Sequence, residues 1–451
     1  MIKNYLLDTN ILLSNPNSIY GFEDNRIYIC GTTLQELDSK KNAPGELGYN
    51  AREVCRILDE LRERGDLQKG ISLDNAKGNK KSGILIIEPD GVDKRNLPAG
   101  YSIDVPDNRI ISSCKHINKT LPTDNPIILL TNDVSMRVNA TICGIKTQGV
   151  INDHVEDDTY TGMEDVSVDG SFIDEIYKNG KVKVPDGMDF IENEFITLLN
   201  GTQSALSVHQ NGYLKLVKAP DAIGNIKPLN KAQTYAMWAL GNPDIPLVIL
   251  QGCAGSAKTF LSLTMGLTQS RIDEQDYESQ YSRMMIARPN KGTSDNDFGY
   301  LPGNLQEKMS PLLANFMDNL AIILRNREKK TPESEIREHI DDMMKSGMIE
   351  LCPLYAIRGR SIQDGFLICD EVQNTSKLLI RDIITRAGKN TKIVLAGDPR
   401  QVDAPTLDSK NNGLVYAADK MKGSPLCAII KFDDSHSVRS DLAKDAIMRL
   451  T

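Results

Sequence analysis

The sequence lacks the features that mark several classes of protein. Its eight cysteines include no Cys-x-x-Cys pair, and some stand inside apolar runs such as residues 366–369. We therefore expect buried, reduced thiols rather than a disulfide or zinc framework. The apolar run at residues 245–250 is far too short to cross a membrane. No internal repeat stands out, so a repeat protein is also disfavoured.

The chain also lacks an excess of basic charge, and its first residues do not have the pattern of a signal peptide. Its 451 residues carry a formal net charge of -8, so any nucleic-acid partner has to be held by local features. The basic runs at residues 77–81 and 325–330 are typical of solvated surface. Asp8 and Asn10 interrupt the apolar start of the chain, which argues against a signal peptide and favours a cytoplasmic protein.

Residues 1–151 have the pattern of a parallel α/β domain. Apolar strand-like segments alternate with amphipathic stretches, and residues 46–64 place Val54, Leu58 and Leu61 on one helical face. Residues 68–82 are rich in Gly, Lys and Asn and are predicted to be a loop. The predicted strands of this domain are residues 5–7, 27–30, 84–87 and 127–130.

The composition changes after this domain. Residues 152–165 are acidic and poor in aliphatic side chains, which predicts a boundary. Short β-like segments at residues 195–199 and 213–217 indicate a small β-rich connector over residues 152–220. Residues 221–451 return to the α/β pattern and are predicted to be a second α/β domain, with strands at residues 247–251, 284–287, 366–369, 392–396 and 427–432.

A phosphate-binding loop is predicted between the strand at residues 247–251 and the helical segment that follows. The amide groups of such a loop point at phosphates, Lys258 neutralises phosphate oxygens and Thr259 offers a hydroxyl to Mg2+. Ala257 stands where the usual pattern has its second glycine, so its methyl group adds strain if this position needs a positive φ. The predicted ATP-binding residues here are Gly252, Cys253, Ala254, Gly255, Ser256, Ala257, Lys258 and Thr259.

Two later strands end in polar residues that suit the same chemistry. Asp370 follows an apolar strand and is expected to hold Mg2+ through water, while Glu371 is expected to polarise the water that attacks the γ-phosphate. Gln401 follows the strand ending near Gly397 and is predicted to sense hydrolysis. These strand-end positions predict one ATP hydrolysis site at one edge of a parallel sheet.

Two further residues have equally plausible structural roles. Gln233, early in a predicted helix, is a candidate for the adenine edge, but a solvated helical glutamine has the same pattern. Arg439 follows the last strand and is a candidate for stabilising transition-state charge, but a surface arginine is as compatible with the sequence.

Taken in order, these motifs resemble the PhoH family of ATPases over about residue 227 to the C-terminus. The resemblance implies one RecA-like domain related to the core of superfamily 1 helicases, assembled as a homo-oligomeric and specifically hexameric ring. It makes Arg358, Arg360 and Arg439 candidates for contacts with a neighbouring subunit or with RNA. The motifs are residues 252–259, 288–289, 299–308, 358–360, 370–375 and 397–401.

Four acids of the N-terminal domain fall at places that converge on one edge of a parallel sheet. Asp8 ends the first strand, Glu36 lies early in a helix, Asp107 opens a helix and Asp133 follows the fourth strand. Taken singly, Asp107 and Asp133 are equally typical of helix N-caps. Gathered together the four would repel one another unless a cation neutralised them, which predicts a Mg2+ or Mn2+ site that activates water against a phosphodiester.

These acids and their spacing resemble the PIN ribonuclease domain, with Asn10 and Thr131 as supporting polar groups. PIN followed by PhoH is a tandem family, and the resemblance implies an ATP-dependent RNA helicase or translocase coupled to a Mg2+- or Mn2+-dependent endoribonuclease. The alternative left open by the sequence is an ATP-regulated, oligomeric RNA-binding or toxin-like module with little unwinding. A third reading is that Ala257 marks a weak ATPase.

Overall fold

The fold is taken from a computed structural model that describes residues 2–22, 24–43, 45–73, 83–89, 91–149, 160–201, 203–223, 225–253, 255–270, 279–289, 305–327, 331–357, 359–404 and 407–433. The chain forms two compact units, Met1–His154 and Val155–Thr451. Both are built on α/β sheets in which parallel pairing dominates, as the sequence predicted. No described helix is both long and apolar enough to cross a membrane.

The described part of the first unit is organised around a six-stranded sheet. Its order is β3-β4-β2-β1-β5-β6, and all pairs are parallel except β3 with β4. The two central strands, β2 and β1, are buried along nearly their whole length, as expected for a parallel sheet covered by helices. The strands are β1 Asn4–Leu7, β2 Arg26–Cys30, β3 Ile71–Ser72, β4 Ile84–Glu88, β5 Ile127–Leu130 and β6 Lys146–Gln148.

Helices cover both faces of this sheet. The predicted apolar stripe is confirmed, because Val54, Leu58 and Leu61 are all buried in one of the two core clusters. Glu36 lies in the second turn of its helix. The helices are α1 Thr9–Ser14, α2 Gly31–Lys40, α3 Gly45–Arg62, α4 Pro106–Asn118 and α5 Val134–Ile142.

The second unit begins with a small sheet of order β7-β9-β10-β11-β8. One face packs under a helix, and the other contributes Phe195 and Val208 to the core of the larger sheet that follows. The predicted partition into residues 1–151, 152–220 and 221–451 stays a prediction. The elements are β7 Met163–Ser167, α6 Gly170–Asn179, β8 Lys181–Lys183, β9 Phe195–Asn200, β10 Gln203–Gln210 and β11 Tyr213–Leu216.

The larger sheet of the second unit has six described strands, all parallel, in the order β14-β13-β15-β16-β12-β17. Apolar side chains fill both of its faces, in two separate clusters. Because the strands are parallel, their carboxyl ends share one edge. The strands are β12 Leu247–Gly252, β13 Arg283–Arg288, β14 Ile349–Pro353, β15 Gly365–Cys369, β16 Thr391–Gly397 and β17 Cys427–Phe432.

The helices of this part flank the sheet on both faces. Phe195 of the small sheet stacks on Tyr235 of the first of them, with ring centroids 4.6 Å apart. This stacking, reinforced by a 3.1 Å hydrogen bond between the Thr197 and Tyr235 hydroxyls, joins the small sheet to the larger one. The helices are α7 Lys231–Gly241, α8 Lys258–Gln269, α9 Leu305–Arg327, α10 Glu333–Lys345, α11 Lys377–Ile384 and α12 Gly413–Met421.

Some elements differ from the sequence expectations. The predicted loop at residues 68–82 contains the short strand β3, and residues 74–82 lie outside the described residues. Helix α6 and strand β14 were not predicted, although Ile173 and Ile176 of α6 carry a helical spacing of buried apolar residues. The thiol prediction is confirmed: all eight cysteines are free, and all but Cys55 are buried.

Candidate active sites

The phosphate loop connects β12 to α8, and a glycine at its first position is required by its surroundings. Gly252 has φ +142°, and a Cβ on it would lie 2.2 Å from the main-chain oxygen of Phe432 on the neighbouring β17. Backbone atoms cannot move aside as a flexible side chain would. Gly255 also has a positive φ, of +86°. Ala254 lies outside the described residues.

The backbone at Ala257 is strained, because this residue has the positive φ at which the sequence predicted strain. It adopts φ +67° and ψ +17°, the left-handed conformation, as the residue immediately before α8. This conformation brings Cβ close to the following carbonyl and costs a non-glycine residue about 1–2 kcal/mol. The loop therefore keeps the backbone path that glycine favours while carrying an alanine.

Lys258 lies inside the loop and holds its carbonyl groups together. Its Nζ donates to the main-chain oxygens of Gly252 at 2.7 Å and Cys253 at 2.8 Å, and it also contacts Ser256 Oγ at 3.2 Å. Burial lowers the pKa of Lys258, while the carboxylates of Asp398 and Asp370 raise it. An incoming phosphate would act in the same direction as these carboxylates and stabilise the charged ammonium group.

Thr259 and Asp370 supply oxygen donors suited to a magnesium ion that arrives with nucleotide phosphates. The Thr259 hydroxyl donates to Asp370 Oδ1 at 2.9 Å, which joins the start of α8 to the end of β15. Burial raises the pKa of Asp370, the adjacent Glu371 raises it further, and Arg288 lowers it. A hydroxyl and one buried carboxylate beside phosphates form the oxygen-rich set that Mg2+ prefers.

Glu371 is held by two donors. Its Oε1 accepts from Arg288 Nη2 at 2.7 Å, and its Oε2 accepts from Gln373 Nε2 at 2.6 Å. Glu371 has φ +56°, in the left-handed region. This local turn lets the carboxylate reach the end of β13, where Arg288 lies.

Gln373 connects the ends of β15 and β16. Its side chain is fully buried, its Nε2 also donates to the main-chain oxygen of Gln401 at 3.0 Å, and its Oε1 accepts from the Asp398 amide at 3.2 Å. A Cβ at Gly397 would lie 2.2 Å from that Oε1, so a larger residue there would displace the Gln373 side chain. The Gln401 side chain is exposed, and its role as a sensor of hydrolysis stays a prediction.

Gln233 has a side-chain donor without a hydrogen-bond partner among the described residues. The residue is 2% exposed, and its Oε1 accepts from the Leu229 amide at 2.9 Å. Its Nε2 is buried and finds no hydrogen-bond acceptor among the described residues. Leaving a buried donor unpaired costs about 1–3 kcal/mol. An acceptor on the edge of a base would remove this cost, which favours the adenine interpretation over a solvated glutamine.

Of the three candidate arginines, the structure describes Arg360. Arg358 and Arg439 lie outside the described residues, as do residues 299–304 of the predicted motif. Arg360 forms a two-pronged ion pair with Glu350 of β14, at 2.5 and 3.0 Å. This pair lowers the pKa of Glu350, and a contact of Arg360 with another subunit would have to replace it.

In the first unit, Asp8 is fixed at the centre of the sheet edge. It follows β1 and caps α1, with Oδ1 accepting from the Thr9 amide and Oδ2 from the Thr131 hydroxyl, both at 2.6 Å. Asp8 is 6% exposed, and burial raises its pKa to about 6. The hydrogen bonds oppose this rise, whereas the carboxylates of Asp107 and Glu36 add to it.

Neutral polar groups hold these acids in place. Thr131 Oγ1 accepts from Asn10 Nδ2 at 3.0 Å and from the Asp133 amide at 3.1 Å. The Thr9 hydroxyl donates to Glu36 Oε2. Asp133 caps α5 through a 3.0 Å bond from the Met136 amide.

The four predicted acids are therefore electrically coupled. Burial raises the pKa of Asp107, and the carboxylates of Asp133 and Glu36 raise it further. The N-cap alternative for Asp107 is wrong, because Val105 is the N-cap of α4 and Asp107 lies in its first turn. Within the described part of the chain no group of three or more His, Cys, Asp or Glu side chains is close enough to form a ready metal cage. A hydrated Mg2+ binds proteins through one or two carboxylates and keeps several waters, so this donor set fits such a cation.

Three of these contacts involve residues to which the sequence gave no role. Gln373 and Arg288 were only members of quoted motifs, and Thr9 lay between two polar residues. A glutamine two residues after the Asp370-Glu371 pair was a usable signal. No such signal pointed to the contact of Arg288, because only the pairing of β13 with β15 brings this residue to Glu371.

Comparison with known proteins extends over both units. A family described as "PhoH-like protein" matches residues 225–450, and one described as "PIN domain" matches residues 5–151. "Protein PhoH2" of Bacillus subtilis strain 168 is 36% identical, with 96% of each chain covered. The proteins of the same name from Thermobispora bispora and Mycolicibacterium smegmatis are 29% and 28% identical, each covering 98% of this chain and 95% of the relative.

Proposed function

Because the chain belongs to the PIN–PhoH tandem family, we propose that it is an ATP-driven RNA helicase or translocase that feeds RNA to its own metal-dependent endoribonuclease. The observation that carries the first half is the network around Lys258, Thr259, Asp370 and Glu371, which joins the loop after β12 to the end of β15. The observation that carries the second half is the buried Asp8 with its acidic neighbours.

In the second unit, the parts suit hydrolysis of the γ-phosphate. Lys258 and the loop amides would hold the phosphates, and Thr259 with Asp370 would hold Mg2+, which neutralises charge that develops on phosphate oxygens. Glu371 is the residue proposed to orient the attacking water. Gln233 is proposed to bind the adenine edge through its unpaired Nε2.

In the first unit, the acids suit cleavage of a phosphodiester. Asp8 and Asp107 have raised pKa values, so a divalent cation would be favoured because it stabilises their charged forms. Mg2+ or Mn2+ bound there would supply an activated water. Glu36 and Asp133 complete the proposed acidic set.

We further propose that the protein acts as a homo-oligomeric ring, with six subunits, in the cytoplasm. This assembly comes from the family likeness of the second unit, and Arg358 and Arg439 remain the candidates for contacts between subunits. Light scattering with and without ATP tests the subunit number.

The proposed coupling is tested on a partly duplex RNA with a single-stranded tail. With ATP and Mn2+ the wild type should separate the strands and cut the tailed strand. Asp8→Asn should separate the strands without cutting, and Lys258→Ala should cut the tail without separating strands. Strand separation by the lysine variant or cleavage by the aspartate variant contradicts the assignment. A chain that hydrolyses ATP and changes its oligomeric state but never separates strands is instead an ATP-regulated RNA-binding module.

A further inference from the structure

The Glu371 carboxylate is occupied by an ion pair that the hydrolysis reaction does not need. Arg288 Nη2 lies 2.7 Å from Oε1, and the two side chains are 16% and 33% exposed. The second oxygen accepts from Gln373 at 2.6 Å. The carboxylate proposed to orient water is thus directed at two protein donors.

Arg288 reaches Glu371 from the side opposite to the phosphate loop. The strand order runs β13-β15-β16-β12, so three strand spacings separate β13 from β12, the strand that leads into the phosphate loop. At about 4.8 Å per spacing this is about 14 Å. The phosphates of a nucleotide bound at Lys258 would lie on the β12 side of Glu371, whereas Arg288 reaches Glu371 from the β13 side.

We propose that the Arg288–Glu371 ion pair is a switch that couples RNA binding to ATP hydrolysis. A phosphate of the RNA backbone binds the Arg288 guanidinium in place of Glu371, and the Glu371 carboxylate is then free of the ion pair and orients water. Arginine suits this exchange because its planar fork binds phosphate as well as carboxylate. This inference rests on the proposed function, since it presumes that RNA binds on the β13 side of the hydrolysis site.

Gln373 gives the released carboxylate a fixed partner. Its amide remains bonded to Glu371 Oε2 and to the Asp398 amide, so the carboxylate turns about a point held by the sheet. Arg288 is therefore a positioning residue that acts through Glu371, and its removal should change the catalytic rate rather than the affinity for ATP.

The test measures ATP hydrolysis with and without poly(U) for wild type and Arg288→Gln. We expect the variant to hydrolyse ATP about tenfold faster than wild type without RNA, with an unchanged KM, and to gain little from poly(U). Arg283→Gln is the matched control, because Arg283 starts the same strand and pairs with Glu350 at 3.7 Å. It should keep the wild-type basal rate and stimulation.

Three results overturn the switch. One is an Arg288→Gln variant with the wild-type basal rate and the wild-type stimulation. Another is a slower variant whose stimulation is unchanged. The third is a raised KM for ATP, which would place Arg288 on the nucleotide. If the wild type itself is not stimulated by poly(U), the proposed RNA-driven function fails first, so the two failures are distinguishable.

Arg288→Lys keeps the test decisive if the glutamine variant does not fold. A lysine preserves the charge but not the planar fork. We expect the basal rate of ATP hydrolysis to lie between those of wild type and Arg288→Gln, and the stimulation by poly(U) to be reduced but measurable. Wild-type values of both quantities in this variant contradict the proposal.

Discussion

The two units hold their carboxylates in opposite electrostatic settings. Around Asp8 the hydrogen-bond donors are neutral and the charged neighbours that raise its pKa, Asp107 and Glu36, are acids. Around Asp370 the acid Glu371 is offset by two cations, Lys258 and Arg288. The acids around Asp8 would therefore gain most from an added cation, whereas Asp370 already has two cations beside it and would take Mg2+ together with a nucleotide.

The largest effect expected from this contrast is a separation of two activities. Asp8→Asn should lower Mn2+-dependent RNA cleavage about a hundredfold or more, because metal-based stabilisation supplies several kcal/mol, while ATP hydrolysis continues. Lys258→Ala should abolish ATP hydrolysis and spare cleavage. Both rates are measured on the same preparations, with the exposed Asp124→Asn and Lys389→Ala as controls. Joint loss of both activities in either variant would contradict independent sites.

The next effect is a gain of stability when the buried charge is removed. The pKa of Asp8 is about 6 in the folded chain against an ordinary 3.8, so the folded form binds a proton more tightly than the unfolded chain. Its contribution to stability therefore falls as pH rises from about 4 to 6. Without metal at pH 7, Asp8→Asn should raise the free energy of unfolding by about 1–3 kcal/mol.

Thermal melts measure this gain in stability. The relevant unfolding transition is the one whose midpoint Mn2+ shifts in the wild type. Mn2+ should stabilise the wild type and leave Asp8→Asn unchanged. A variant that is less stable than wild type in EDTA at pH 7 would show that the carboxylate contributes more by its hydrogen bonds than its burial costs.

A smaller effect is expected at the base-binding end of the second site. Gln233→Ala should raise the KM for ATP about tenfold, because the variant would lose the hydrogen bond proposed between Gln233 Nε2 and adenine. The KM for GTP should change little, which makes the second nucleotide the control. An equal rise for both nucleotides would indicate damage to the loop at Asn230, whose side chain accepts from the Gln233 amide at 2.9 Å.

The smallest effect is expected from relief of strain in the phosphate loop. Ala257→Gly should stabilise the chain by about 1 kcal/mol, since glycine adopts the left-handed conformation at no steric cost, and turnover should rise or stay unchanged. Ala314→Gly, on an exposed turn of α9, should instead destabilise the chain by about 1 kcal/mol. A large loss of turnover in Ala257→Gly would mean that the alanine itself is needed.

Strand-end residues were predictable from the sequence because their position depends only on local periodicity. Asp8, Asp133 and Asp370 follow apolar runs that had to be strands, and parallel strands share an edge. Contacts that depend on strand order were not predictable. Arg288 meets Glu371 only because β13 and β15 are neighbours in the sheet, although β14 lies between them in the chain.

The missed elements have a similar cause. Strand β14 ends in Pro353 and carries the charged Glu350 as its second residue, so its pattern is weak, and pairing with β13 determines its extent. Helix α6 is short and surrounded by glycine and acidic residues, which concealed the spacing of its two buried isoleucines. Tertiary packing decides such segments.

Titration of Mn2+ in the absence and presence of ATP tests the electrostatic contrast most directly. Without nucleotide, the wild type and Lys258→Ala should bind Mn2+ and Asp8→Asn should not. Adding ATP should create a further site that Thr259→Ala weakens and Asp8→Asn retains. Equal binding of Mn2+ by wild type and Asp8→Asn without nucleotide would contradict the claim that the acids of the first unit form the metal site.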